Sequence, residues 1–471
     1  MEGKGYERLS AQDSTFVRFE AQGSHSHITA VAIFDAGPLL RAQHGLDLGR
    51  LRDHIASRLH LFPRYRKRMV HTPIQGHPVW VDDDRFDISH HVIRAGLPAP
   101  GGEDELKDLA GRLSSQPLDL ERPGWQMWFV EGLENGRFAL VAKIHHSLVD
   151  GVSGIGVLTA LLSPTQESEI EPGPTWEPAP APSGLGYLVD GIAEMGDSAL
   201  AAAQSLGTVL RNPVRALDEV VGSASGVLAT FEDLIRRPAD TPFNARSGQQ
   251  RRLEWLDLDM ATLRDLRKHL NGSLNDVVLT VVAGAVRRRL RGRDVELHDL
   301  DFRVSIPVDT RRAGDDNLAN KVSTWFISLP VSEPDPRQRF EAVKTQTRRC
   351  RRRRADKAFE LFWQLADWSG SSILATRFAD VASFLKPYNL LVTNVRGPSV
   401  PIYLLGAPLL AFYPTLPLFE NQGLAIAVLT YQGKLHVGLT GDWDLLPDLG
   451  DFAEDLRVAM AELAQTAEQK L

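Results

Sequence analysis

Cysteine is nearly absent from this 471-residue chain, and a lone Cys350 can form neither an intramolecular disulfide nor a multi-cysteine metal site. We therefore expect a reducing, cytoplasmic setting. The N-terminal residues carry charges without the apolar stretch of a secretory signal, and no run approaches the ~18–20 apolar residues that span a bilayer. Together these absences predict at most peripheral contact with a membrane.

Excess positive charge is also missing. The chain has 53 basic and 60 acidic residues, a formal charge of −7, which argues against a broad nucleic-acid-binding surface. Its 43% hydrophobic and 24% charged residues are typical of a globular protein. At ~150 residues per domain, the length allows about three domains or two large ones.

One segment divides the chain. Residues 163–183 are rich in Pro and Glu and lack periodicity, which predicts a linker or surface loop. Residues 185–235 are rich in small residues at helical spacing, which indicates either a helical connector laid over the body or a membrane-surface helix. We therefore divide the chain into an N-terminal domain (1–183), a helical connector (184–244) and a C-terminal domain (245–471).

Both halves mix helix and strand patterns, which predicts an α/β fold. Apolar spacing predicts helices at 47–60, 260–269, 275–290 and about 447–470, with Ser273 available to cap the third. Alternating or apolar runs predict strands at 125–132, 137–145, 302–308, 322–329 and 390–394, and a hairpin over 424–440. Turns are expected at Asn135-Gly136 and Gln432-Gly433.

The strongest chemical signal is AKIHHSLVDG at residues 142–151. If the strand persists to its end, the two histidines point in opposite directions, so one of them faces a substrate. We choose His146 as a general base, because an imidazole can take up and return a proton near neutral pH. A packed or solvent-exposed histidine pair is the alternative. His146 and Asp150 supply two metal ligands, fewer than a metal site needs, and Cys350 has no identifiable partner base.

HHSLVDG matches the HHxxxDG signature of the acyltransferase superfamily that includes chloramphenicol acetyltransferase and peptide-synthetase condensation domains. Nearly the whole chain resembles the bacterial wax ester synthase/diacylglycerol acyltransferase family. The matching segments occur in the family's order: LSAQDSTFVRFE, PLDLERPGW (117–125), SLNDVVLTVVAGAVRRRL (273–290), RVSIPVDTRR (303–312), NVRGP (394–398) and GLTGDWDLLPD.

This resemblance implies two chloramphenicol-acetyltransferase-like domains with an active-site channel between them. It makes His146 the catalytic base, His145 its motif partner, Asp150 a structural residue and Gly151 the end of the turn. The site residues implied in the second half are the ND pair Asn275 and Asp276, for which helix capping is the alternative, and Arg303 and Arg312 as candidate salt-bridge partners of Asp150. Gly124 stands where the family usually has leucine, and residues 242–248 depart from the usual pattern.

The activity implied is transfer of a long-chain acyl group from acyl-CoA to diacylglycerol, to a long-chain alcohol, or to both. Coenzyme A is then a product, and no metal, redox cofactor or acyl-enzyme is expected. The alternatives are a non-catalytic lipid-binding or lipid-droplet protein and a condensation-type enzyme with a carrier-bound donor. The basic run at residues 348–354 is expected to be a solvated helix face, with attraction to anionic lipid or to coenzyme A phosphates as the alternative.

Overall fold

The computed structural model describes residues 5–21, 25–41, 44–72, 78–148, 160–167, 169–182, 187, 236–309, 322–353 and 388–468. Within these ranges, no helix has the length and apolar character needed to cross a membrane. The proposed connector falls almost entirely outside them, so the division at 183 and 245 stays a prediction.

Seven longer helices are described: α1 (Ala11–Ala21), α2 (Leu48–Arg58), α3 (Glu103–Ser115), α4 (Met260–His269), α5 (Leu274–Gly292), α6 (Pro336–Arg353) and α7 (Leu449–Glu468). The described strands of the first half are β1 (Glu7–Arg8), β2 (His27–Asp35), β3 (Leu40–Arg41), β4 (Gly45–Leu46), β5 (Lys67–His71), β6 (Pro78–Asp82), β7 (Val92–Gly96), β8 (Trp125–Leu133) and β9 (Arg137–His145). Those of the second half are β10 (Arg251–Asp259), β11 (Phe302–Asp309), β12 (Val322–Leu329), β13 (Leu390–Arg396), β14 (Tyr403–Leu404), β15 (Ala407–Pro414), β16 (Leu424–Tyr431) and β17 (Lys434–Asp442).

Two six-stranded sheets form the body of the molecule. The first has the order β14-β15-β2-β9-β8-β7 and the second the order β10-β17-β16-β13-β11-β12. Both mix parallel and antiparallel pairs, for example parallel β13–β16 beside antiparallel β16–β17. The mixed α/β fold expected from the sequence is therefore confirmed.

The chain crosses between the sheets late in its course. β15, from the second half of the sequence, pairs antiparallel with β2 of the first sheet, with Phe412 opposite Ala32. Sequence reasoning assigned no strand here, because pairing across some 380 residues leaves no local signature.

Helices cover the second sheet and complete its core. α5 buries almost its whole first three turns against the sheet and α7. At Gly284 a Cβ would lie 2.8 Å from the Cβ of Ala459, so glycine allows α5 and α7 to approach closely.

The other elements predicted from local patterns are confirmed to within a few residues. Ser273 caps α5 by accepting from the backbone N–H of Asp276. Asn135 and Gln432 have φ of 60° and 42°, each followed by a glycine of positive φ, as tight hairpin turns require.

Three features of this fold position the functional site. β9 lies between β2 and β8, and its last residue pairs with His27. α1 packs over the turn that follows β9. α3 reaches the second sheet, where the Ser115 hydroxyl accepts from the backbone N–H of Arg251 at 2.8 Å. The motif therefore lies where elements of both halves meet.

Candidate active site

The HHSL segment begins as strand and ends as a turn. β9 stops at His145, and residues 146–148 form a 3₁₀ turn. The alternation expected along the strand is confirmed: the side chains of Phe138, Leu140, Ala142 and Ile144 join one apolar cluster, and those of Ala139 and Val141 another. The expectation that the two histidines point in opposite directions required the strand to continue through His146. The strand ends at His145, so this condition is not met.

His145 is fully buried, and both of its ring nitrogens have a close polar neighbour. Its Nδ1 accepts from the backbone N–H of Ser147 at 3.2 Å and lies 2.6 Å from the Ser147 hydroxyl. Its Nε2 lies 2.6 Å from a carboxylate oxygen of Glu20. This pairing fixes the ring of His145 and leaves it no free base to offer a substrate.

His146 has different surroundings. Its ring stacks on Phe16 with centroids 3.8 Å apart and planes inclined by 16°, and its backbone N–H donates to the Ser26 carbonyl at 2.8 Å. Nδ1 is buried, and no other residue in the described ranges bonds to it. Desolvation by burial, followed by the nearby His145, lowers the pKa of His146 to about 4, against a small raising effect of its own backbone carbonyl. The imidazole is therefore neutral at pH 7 and able to accept a proton.

One face of α1 holds both histidines. Phe16 and Glu20 are four residues apart, so they lie one above the other on the helix. Phe16 contacts His146, and Glu20 contacts His145. Sequence reasoning quoted LSAQDSTFVRFE as a family segment but assigned it no site residue; the i, i+4 spacing of an aromatic residue and a carboxylate was the available signal.

Two buried polar side chains, Lys143 and His27, lie close to His145. Lys143, two residues before His145 on β9, donates to the carbonyls of Leu113 and Gln116 at 2.9 and 2.7 Å, and burial lowers the pKa of its amine to about 8. His27 lies 2.8 Å from the Ser114 carbonyl through Nε2, and burial holds its pKa well below 6.5. Burial and Lys143 together keep His27 neutral.

The PLDLERPGW segment supports the strand that carries the histidines. The Gly124 carbonyl accepts from the backbone N–H of His145 at 2.8 Å. A Cβ at Gly124 would lie 3.1 Å from the Cβ of His145 and 3.1 Å from Cδ2 of Leu120. Trp125 is fully buried, and its indole donates to the Tyr65 carbonyl at 2.8 Å. The departure at Gly124 therefore coincides with close packing against the motif.

The predicted residues of the second half lie in two places. Asp276 caps α5: its carboxylate accepts from the Ser273 backbone N–H at 2.7 Å and from the Thr347 hydroxyl at 2.6 Å. The neighbouring Asn275 lines a cleft described below. Arg303 is buried in β11, donates to the Arg236 carbonyl at 2.8 Å and lies over Phe326.

Asp150, Gly151 and Arg312 lie outside the described residues, so the proposed salt bridge of Asp150 with Arg303 or Arg312 stays a prediction. In the described part of the chain, no group of three or more His, Cys, Asp or Glu residues is arranged to hold a metal ion.

Residues 242–248, which sequence reasoning left without a site role, tie loops of the second half together. The amide of Asn244 donates to the carbonyls of Asn389 and Asn421 at 3.0 and 3.2 Å. The Ser247 hydroxyl donates to the carbonyl of Phe419, whose ring lies 6.5 Å from that of Phe16. This segment therefore supports the second-half loop whose Phe419 lies near Phe16 of α1.

Comparison with solved structures identifies the fold. A wax ester synthase/diacylglycerol acyltransferase from Marinobacter aquaeolei VT8 superposes with a TM-score of 0.69 at 23% identity, covering 98% of this chain and 100% of that one. A starter condensation domain of rhizomide synthetase, crystallised with C8-CoA and Leu-SNAC, superposes with a TM-score of 0.60 at 12% identity, covering 98% and 95%. The fold, with its two six-stranded mixed sheets, is thus the one found in these two structures.

Sequence comparison identifies the family. The wax ester synthase/diacylglycerol acyltransferase catalytic domain matches residues 9–278, and the C-terminal domain of the same family matches residues 318–464. Two Mycobacterium tuberculosis proteins whose names assign them as diacylglycerol O-acyltransferases are 31% and 30% identical, covering 98% and 97% of this chain and 91% and 97% of theirs. With both domains of the family matched, the chain belongs to the wax ester synthase/diacylglycerol acyltransferase family.

Proposed function

We propose that this acyltransferase moves a long-chain acyl group from acyl-CoA to the hydroxyl of diacylglycerol or of a long-chain alcohol, with His146 as general base. The observation that carries this proposal is the imidazole of His146 in the family's signature turn, stacked on Phe16 with a buried Nδ1 to which no described residue bonds. The carboxylate of Glu20 lies against His145 and not against His146.

The reaction proceeds in two steps, and His146 returns in the second step the proton that it takes up in the first. His146 takes the hydroxyl proton of the acceptor as the oxygen attacks the thioester carbonyl, which forms a tetrahedral oxyanion. Collapse of this intermediate breaks the C–S bond, and the imidazolium of His146 returns the proton to the departing thiolate. The transfer requires no acyl-enzyme, metal or redox cofactor, and coenzyme A leaves as the product.

Low basicity and good positioning act together at His146. A base with a pKa near 4 is weak, so its contribution depends on being held against the reacting hydroxyl. The stack on Phe16 and the backbone bond to Ser26 supply that positioning. The imidazolium forms next to the oxyanion, and in a water-poor site each charge stabilises the other.

Substitution of His146 by alanine tests this role. We expect transfer from palmitoyl-CoA to diolein or hexadecanol to be lost while the unfolding midpoint stays close to wild type, because the ring contacts few polar groups. His298→Ala, which removes an exposed histidine, is the control and should keep full activity. Near-wild-type turnover in folded His146→Ala would refute the mechanism.

Product analysis then separates the candidate substrates. Purified protein is given radiolabelled palmitoyl-CoA with diolein and hexadecanol in competition, in the presence of EDTA. Labelled triacylglycerol or wax ester supports the proposal. Absence of any ester product favours a lipid-binding protein, whereas transfer confined to an acylated carrier protein favours a condensation-type reaction.

We also propose that the enzyme meets its water-insoluble substrates at a membrane or lipid-droplet surface. The basic run offers exposed Arg348 and Arg349 on α6 for contact with anionic headgroups. Flotation with phosphatidylglycerol vesicles at low salt tests this, and protein that stays at the bottom of the gradient contradicts it.

A further inference from the structure

A cavity lies in the C-terminal half, lined by residues to which the mechanism assigns no role. It is a cleft of about 660 Å³ at the carboxyl ends of the strands β11, β13 and β16, where Arg396 pairs with Thr430. These strands run parallel to one another. The carboxyl edge of parallel strands is where α/β sheets bind ligands, and this volume falls within the ~300–1,000 Å³ typical of small-molecule sites.

The cleft is strongly cationic. Four arginines and one lysine line it, and none of the residues described around it is an Asp or Glu: the cations are Arg264, Arg267, Arg351, Arg396 and Lys434. Such a concentration of positive charge is unexpected in a chain with net charge −7. It predicts an anionic ligand.

Most of this charge is not neutralised by ion pairs. Lys434 pairs with Asp257 at 2.9 Å. Arg264, Arg267 and Arg396 are exposed, and they form no salt bridge with the residues that the structure describes. Among the described residues, Arg351 reaches only the Ser273 hydroxyl, at 3.4 Å. Guanidinium groups in this state are the usual partners of phosphate oxygens.

The start of α5 adds neutral donors to the same wall. Ser273 and Asn275 line the cleft, and the unpaired N–H groups of a first helical turn favour an anion. The nearby carboxylate of Asp276 is 3% exposed and bonded to Ser273 and Thr347, so it lies beneath the cleft wall.

Aromatic and apolar side chains complete the cleft. Trp325, Tyr431 and Pro307 line it together with the arginines, which offers flat surfaces for a heterocyclic base. Tyr431 also belongs to the apolar cluster that contains Leu148 of the HHSL turn. The cleft and the candidate active site therefore share one continuous packed core.

We infer that this arginine-lined cleft binds the phosphate groups of the adenosine 3′-phosphate 5′-diphosphate portion of acyl-CoA. The inference rests on the proposed use of acyl-CoA as donor. Three features of the sequence thus acquire one role: the ND pair through Asn275, the basic run through Arg351, and the NVRGP segment through Arg396. A phospholipid headgroup presents the same phosphate chemistry, so the experiment must separate the two sources.

The test compares two donors that differ in their phosphates. Palmitoyl-CoA carries them, whereas palmitoyl-pantetheine keeps the thioester and its arm without them. For Arg267→Gln/Arg396→Gln we expect the KM for palmitoyl-CoA to rise at least about tenfold, with kcat within about twofold, since two charge-assisted hydrogen bonds are lost. The kcat/KM for palmitoyl-pantetheine should stay unchanged.

Lys268→Gln is the matched control, because it removes one exposed charge next to Arg267 on α4 without lining the cleft. It should leave both donors unaffected. Calorimetric titration with adenosine 3′,5′-bisphosphate gives a direct readout, and the double variant should bind this probe at least about tenfold more weakly than wild type.

Three outcomes overturn the inference. A KM for palmitoyl-CoA equal to that of wild type does so, as does an equal loss with both donors. So does loss of binding to phosphatidylglycerol vesicles with an unchanged KM, which would assign the cleft to lipid headgroups. Wild-type protein that transfers from neither donor would instead refute the proposed function, so the two failures are distinguishable.

Discussion

The acid limb of the pH–rate profile tests the electrostatic state of His146 directly. Burial and His145 lower the pKa of His146 from 6.5 to about 4, so the neutral base should persist far into the acid range. At pH 5.5 a base of pKa 4 is about 97% neutral, whereas an ordinary histidine is about 9% neutral. We therefore expect kcat/KM to change little between pH 7.5 and 5.5, where an unperturbed base would lose about tenfold.

Removal of Phe16 should reverse part of this effect. The Phe16 ring covers His146 at 3.8 Å, so Phe16→Ala admits water, reduces desolvation and moves the acid limb upward toward pH 6.5. Phe16→Leu keeps an apolar cover and should move the limb less. The difference between these variants isolates desolvation from general loss of packing.

The assay needs a donor that does not itself titrate. Phosphate groups of coenzyme A ionise near pH 6, so palmitoyl-pantetheine is the donor and kcat/KM reports the free enzyme. A wild-type acid limb near pH 6.5 would refute the reasoning, and so would a limb that stays in place when Phe16 is replaced by alanine.

Further predictions concern stability and positioning. Glu20→Ala removes the carboxylate that lies 2.6 Å from Nε2 of buried His145. It should lower the free energy of unfolding by about 1–3 kcal/mol, measured by urea denaturation, with a fall in kcat that Glu20→Gln partly restores; unchanged stability would contradict the pairing. Asp276→Ala removes the acceptor of the Ser273 N–H and one of the two acceptors of the Thr347 hydroxyl, and it should cost about 2 kcal/mol while transfer per folded molecule is retained; a selective loss of kcat would instead indicate a role in catalysis. Acid should destabilise the fold between pH 6.5 and about 4. In this range the histidines of the unfolded chain bind protons, whereas the same histidines, buried in the folded protein with lowered pKa, stay neutral. Urea midpoints that do not fall over this range would count against this prediction. The histidines concerned are His25, His27, His54, His91 and His146.

Local pattern was sufficient for most secondary structure in the second half. The helix of residues 260–269 and the strand of residues 322–329 have the predicted bounds, because apolar periodicity and turn residues act within a few positions. α1 and β15 were missed for different reasons. α1 has weak amphipathic character, and β15 is defined by its pairing with β2 some 380 residues earlier.

The sequence by itself determined the family and the motif, since the order of matching segments and HHSLVDG are linear properties of the chain. It also determined the choice of His146 over His145 as the predicted base. Tertiary structure alone decided what surrounds them: Glu20 bonded to His145, Phe16 stacked on His146, and a pKa lowered by enclosure. It also brought Asn275, Arg351 and Arg396 into one cleft. Burial, ring contacts and convergent charge depend on distances through space, and those distances exist only once the sheets and helices have packed.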